Sequence, residues 1–150
     1  LHLKGKRESS MDGMDVSLCV IDRLSNELYF AGAMNPIYII NDSNLEVIKA
    51  DSYSVGPISL SKNKDVQKNF KTHRIKYVDN TRIYMFSDGY IDQFGGTSNL
   101  KFNTKNFKKM LLKINELSMV EQKKIVDKTI NNWKGENKQT DDMLVLGLKL

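Results

Sequence analysis

The stretch Ile83-Tyr84-Met85-Phe86-Ser87-Asp88-Gly89-Tyr90-Ile91-Asp92 decides how the rest of the chain is read. Its apolar half reads as a buried strand that stops abruptly at Ser-Asp-Gly. Gly89 is expected to make the turn, leaving Asp88 presented at the strand's end. Loops carried on a rigid scaffold are where chemistry tends to sit. A second acidic point, Gln139-Thr140-Asp141-Asp142, stands immediately before another apolar run, Met143 to Leu148. The expectation is that the two acidic points meet.

Between them the pattern turns helical. Gln93 to Ser98 reads as a flexible loop. Phe107, Met110, Leu111, Ile114 and Leu117 then fall at helical spacing, with Thr104 as the expected N-cap. Ser118 followed by Glu121 is a capping-box pattern that starts a second helix, and Gly135 stops it. Trp133 reads as packing. The helical pair thus spans 104–134. If the first strand runs upward to Asp88, one helix descends and the next climbs back. The final strand, Met143 to Leu150, then starts beside Asp88 and runs antiparallel to its partner.

Toward the N-terminus the chain reads as short strands. Leu1 to Ser10 is a loop or frayed end. Val16 to Asp22 and Glu27 to Ala33 are two strands joined at Arg23-Leu24-Ser25-Asn26. The small residues and proline of Ala31 to Pro36 interrupt the pattern. Ile37 to Ile40 and Leu45 to Lys49 follow, joined at Asn41 to Asn44. These connection lengths predict an antiparallel meander. Asp51 to Asp65 reads as a long loop, and Asn69 to Val78 as a strand carrying a solvated His73.

With 150 residues, one domain with a real core is expected. No apolar run reaches ~18 residues, so no transmembrane helix is expected. The start, Leu1 to Arg7, lacks the apolar segment of a signal peptide. Beginning at Leu, it is expected to be a piece of something longer. The single Cys19 excludes an internal disulfide and a cysteine zinc cluster, and fits a reducing, cytoplasmic setting. It reads as a small core residue. The formal charge of +5 is uneven. Residues 1–100 hold 12 basic and 12 acidic side chains, and residues 101–150 hold 11 and 6. The excess reads as lysine-rich helix faces; without an arginine cluster or aromatic interleaving, nucleic-acid binding is not expected.

Clustered carboxylates repel unless they hold a cation, and all-oxygen sites suit hard ions such as magnesium and manganese. The plainer alternative is that Asp88 is a turn residue and Asp141-Asp142 a solvated strand start. Spacing alone favours it, because Asp-Gly turns are common.

Five stretches, in order, shift that balance. They are Asp12-Gly13-Met14-Asp15, Phe30 to Pro36, Val55-Gly56-Pro57, Phe86 to Gly96, and Gln139-Thr140-Asp141-Asp142-Met143. Together they resemble the C-terminal two-thirds of a metal-dependent protein phosphatase of the 2C-like (PPM) family, in its bacterial branch typified by stage II sporulation protein E. The resemblance implies an α+β fold, an α-β-β-α sandwich of antiparallel sheets flanked by helices, with its N-terminal part outside this chain. It implies hydrolysis of phosphoserine or phosphothreonine in a signalling protein by water, with two manganese or magnesium ions. Asp88 and Asp141 match the family's catalytic metal-binding residues. Gly89 and Asp142 complete the implied metal set, Gly89 by permitting the turn that aims Asp88.

The family's first metal motif, an Asp followed shortly by Gly-His-Gly, is not in these residues, since neither His2 nor His73 adjoins a glycine. The expectation is therefore half a metal site, weakly active or inactive alone. Expected partners are a phosphorylated protein, an N-terminal sensor or regulatory domain, and, through unpaired sheet edges, a second copy. The alternative is a module that has lost catalysis and binds a phosphoprotein or regulator.

Overall fold

In a computed structural model, residues 13–56 and 69–150 are described. The expected frayed end at 1–10, Asp12, and the Pro57–Asp65 part of the expected loop lie outside the described residues. Two antiparallel sheets pack face to face. One has the order β1-β2-β5 and the other β4-β3-β6-β9. Their strands are β1 (Val16–Asp22), β2 (Glu27–Ala33), β3 (Ile37–Asn41), β4 (Asn44–Ile48), β5 (His73–Lys76), β6 (Arg82–Phe86) and β9 (Val145–Lys149). Between β6 and β9 come α1 (Asp88–Asp92), a small hairpin of β7 (Phe94–Gly95) and β8 (Leu100–Lys101), α2 (Asn103–Ile114) and α3 (Met119–Lys134). Among the described residues no helix is long and apolar enough to cross a membrane.

Strands β3 and β6 explain why Ile37–Ile40 and Ile83–Phe86 read as continuous apolar runs. Each lies between two cores, so side chains on both faces are buried. Ile37, Ile39 and Ile83 meet Leu28 and Phe30 of the facing sheet. Tyr38, Ile40, Tyr84 and Phe86 point the other way, into a core closed by α1, α2 and α3. The outer face of β1-β2-β5 is different. Leu18 and Val20 stay 59% and 53% exposed there, and no helix covers that face among the described residues.

Several local expectations change. The meander is split, because β1–β2 and β3–β4 are hairpins in different sheets. The crossing is made at Met34, with φ 67°, just before Pro36, which has no N–H for a ladder. His73 is half-buried, its ring 6.2 Å from that of Phe30, rather than solvated. The α2 start is served by the Asn103 side chain, which accepts from Asn106 N at 3.0 Å, not by Thr104. Asn103 tolerates the φ of 66° there better than a β-branched residue would.

The α3 start follows the sequence. Ser118 Oγ accepts from Glu121 N, and Glu121 Oε2 accepts from Ser118 N at 3.0 Å. The Ser118 hydroxyl also donates to Glu121 Oε2 (2.6 Å), and that bond, followed by the one from Ser118 N, holds the Glu121 carboxyl below its ordinary range. Ser118→Ala is expected to lower stability by about 1 kcal/mol in urea unfolding; an unchanged midpoint would mean that the packed face of α3 alone holds its first turn.

Candidate metal centre

Strand β6 delivers Asp88, and the segment entering β9 delivers Asp141 and Asp142. The two strands pair antiparallel, with Phe86 opposite Val145. Ser87 ties the two ends together. Its N–H donates to Leu144 O (3.0 Å), its hydroxyl donates to Asp142 O (2.7 Å), and it accepts from Leu144 N (2.8 Å). The expected convergence of the two acidic segments is thus present in the backbone.

Gly89 works differently from expectation. It lies inside α1 and does not adopt a left-handed turn conformation. What it supplies is space. A Cβ there would stand 2.4 Å from Asp142 O and 2.9 Å from Asp142 C. No side chain fits without moving main chain, so glycine lets the α1 backbone lie directly on the acidic segment.

The carboxylates of Asp88, Asp141 and Asp142 belong to exposed residues. Asp141 Oδ1 accepts from Asp142 N (2.7 Å), and Asp141 O accepts from Gln139 Nε2 (2.8 Å), so the segment is internally braced. The ion pairs among the described residues, Arg74–Glu27 and Lys101–Asp92, do not involve these three acids. Oxygen donors without a cationic partner, beside a cradle that a Cβ would fill, fit a hard divalent cation in kind. They fall short in number. Among the described residues, no three His, Cys, Asp or Glu side chains are grouped so as to hold an ion by themselves.

The scaffold behind Asp88 is aromatic. Tyr90, on α1, is buried with its hydroxyl donating to Val126 O (2.8 Å), and burial pushes its phenol well above the ordinary value. Its ring lies 5.0 Å from Phe107 and 5.4 Å from Phe102. Of the segment Gln93–Ser98, expected to be flexible, residues 93–96 are docked instead. Gly96 N donates to Trp133 O (2.8 Å), and Trp133 Nε1 donates to Gln93 O (3.1 Å). A Cβ on Gly95 would stand 1.8 Å from Trp133 O. Gly95-Gly96 is therefore a seat for the end of α3, which agrees with Trp133 as a packing residue. Ser87 and Gln93 escaped the reading of the sequence. A serine next to Asp-Gly carried a weak signal for a cross-strand tie, but nothing around Gln93 marks it.

The profile of the family described as Stage II sporulation protein E (SpoIIE) matches residues 3–150. A comparison with curated proteins finds no match. Among solved structures, the SiaA-PP2C domain of Pseudomonas aeruginosa aligns with TM-score 0.81 at 24% identity, over 91% of this chain and 51% of that one. The phosphatase domain of SpoIIE from Bacillus subtilis, presoaked with Mn, aligns with TM-score 0.66 at 13% identity, over 91% and 56%. RsbX in complex with magnesium aligns with TM-score 0.61 at 13% identity, over 92% and 57%. The chain thus spans little more than half the length of these three structures, and shares their antiparallel sandwich.

Proposed function

The chain belongs to the stage II sporulation protein E (SpoIIE) family, and from that membership we propose that it forms part of a metal-dependent phosphatase acting on phosphoserine or phosphothreonine in a signalling protein. The observation that carries this reading is the seating of Gly89 on Asp142, which puts the Asp88 and Asp141 segments at one place. The SpoIIE phosphatase domain presoaked with Mn and RsbX in complex with magnesium support the choice of ion.

Asp88 and Asp141 are the proposed ion ligands, with Asp142 beside them. Ser87 and Gly89 hold the two segments in register. A bound Mn2+ or Mg2+ would contribute Lewis-acid polarisation of the phosphoryl group and a more acidic attacking water. The chain's own part is to place fixed carboxylates where that charge is needed, so that no reorganisation is required during the reaction. Two ions need more carboxylates than these, and the rest would come from outside the described residues. The working enzyme then cooperates with a sensor or regulatory domain and a phosphoprotein substrate in the cytoplasm. Sheet edges such as β9 and the uncovered face at Leu18 and Val20 offer routes to a second copy. The second reading, a non-catalytic phosphoprotein- or regulator-binding module, is favoured by the short count of ligands.

Manganese titration by calorimetry tests this. The expected result is weak binding by the chain, further weakened in Asp88→Asn and in Asp141→Asn, with little phosphatase turnover. Binding untouched by either substitution would place the ion elsewhere. Strong manganese-dependent turnover by these 150 residues would overturn the view that their site is incomplete.

A further inference from the structure

Gln93 is a polar side chain with no exposed surface, immediately after α1. Its amide is fully used. Nε2 donates to Phe94 O (2.9 Å) and Lys138 O (3.0 Å), while Oε1 accepts from Thr140 N (3.1 Å) and Thr140 Oγ1 (3.3 Å). Two carbonyl oxygens on one side and an N–H on the other admit only this orientation of the amide. The Gln93 carbonyl is pinned as well, accepting from Phe102 N (2.9 Å) and Trp133 Nε1 (3.1 Å). Position 93 is therefore fixed by the start of α2 and the end of α3 before its side chain reaches anything.

Both acidic points are indexed to that position. In one direction, α1 runs back five residues to Asp88, held down by buried Tyr90. In the other, the Gln93 side chain grips Lys138 and Thr140, and Asp141 is the next residue. A buried amide with every bond made is rigid, and leaving one of those groups unpaired is costly. We infer that Gln93 is the positioning residue that sets where Asp141 stands relative to Asp88. It touches no ion or substrate and acts through Thr140. This rests on the reading of Asp88 and Asp141 as one ion site.

The plain alternative is that Gln93 only fills volume. Two substitutions separate the roles. Gln93→Met keeps the bulk and removes every polar contact of the side chain, leaving the main-chain bonds to Phe102 and Trp133 in place. Gln93→Glu keeps the shape and the acceptor but turns a carboxyl toward the carbonyls of Phe94 and Lys138. Protonated, that carboxyl can still donate to one of them; ionised, it repels both. The loosening is therefore expected to grow as pH rises, and a positioning role confines it to the Thr140 segment, whereas a volume-filling role spreads it to Ile130 as well.

The measurement is amide hydrogen exchange on the metal-free chain, expressed as protection factors, with manganese titration alongside. In Gln93→Met the Thr140 amide is expected to lose protection about tenfold while Ile130 in α3 keeps its own. Manganese affinity is expected to fall about 10- to 100-fold, as for other groups that orient a ligand. Unchanged protection at Thr140 overturns the inference. So does equal loss at Ile130, which would make Gln93 a support of the whole fold, and so does a pH-independent Gln93→Glu. If Thr140 loosens but the unsubstituted chain binds no manganese, the inference falls with the ligand it positions, and the exchange data place the fault in the reading of the ion site.

Discussion

Gly89→Ala is expected to destabilise the protein by about 1–3 kcal/mol and to weaken manganese binding at least as much as loss of one carboxylate does. Two effects compete. Glycine inside a helix costs up to about 1 kcal/mol relative to alanine, so the substitution gains something locally. Against this, the new Cβ would stand 2.4 Å from Asp142 O and 3.1 Å from Asp141 C. Both are backbone atoms and cannot swing away as a side chain would. The overlap wins, and it is relieved by lifting the acidic segment off α1, which parts Asp141 from Asp88. Urea unfolding and calorimetric titration on one preparation check this. A stabilised variant that binds manganese normally would show that the two segments are not held face to face.

Phe107→Ala is expected to have the largest effect on stability, about 3–5 kcal/mol. Phe107 has no exposed surface. Its ring lies 4.6 Å from Phe86, 5.0 Å from Tyr90 and 6.1 Å from Tyr38. One side chain on α2 thus backs β6, α1 and β3 together, and removing it leaves a cavity that rigid neighbours cannot close. Domains of this size have total stabilities of about 5–15 kcal/mol, so the loss is a large share. The unfolding midpoint in urea reads it. A loss below about 1 kcal/mol would mean that the aromatic cluster repacks freely.

What was legible in the sequence were features set by local chemistry. The runs Ile37–Ile40 and Ile83–Phe86, the Ser118–Glu121 box and the Gly135 stop all act within a few residues. The antiparallel pairing of β6 with β9 followed from two helices returning the chain to its start. The split of the early strands into two sheets was not legible, because hairpin lengths are the same whichever sheet the next strand joins. The flexible reading of Gly95-Gly96 failed for a similar reason. Glycine marks either freedom or crowding, and the crowding comes from Trp133, far away in sequence. Gly89 was marked for conformation, whereas its place in the structure is set by contact with the Asp142 backbone. Asp88 and Asp141 were visible as residues, whereas the ties through Ser87 and Gln93 depend on tertiary partners that no spacing encodes.

Among the described residues, strand β9 lies at the edge of its sheet and pairs only with β6. Its partner segment and the acidic residues before it are more than fifty positions apart in sequence. Closing so long a loop is an entropic burden, and an edge strand held on one side is a natural place for peeling to begin. An ion shared by Asp88 and Asp141 would act there as a staple. It would bind only when the edge is shut, so by mass action its concentration would set how firmly that edge stays shut. Cation supply and the mechanical integrity of the sheet would then be one variable.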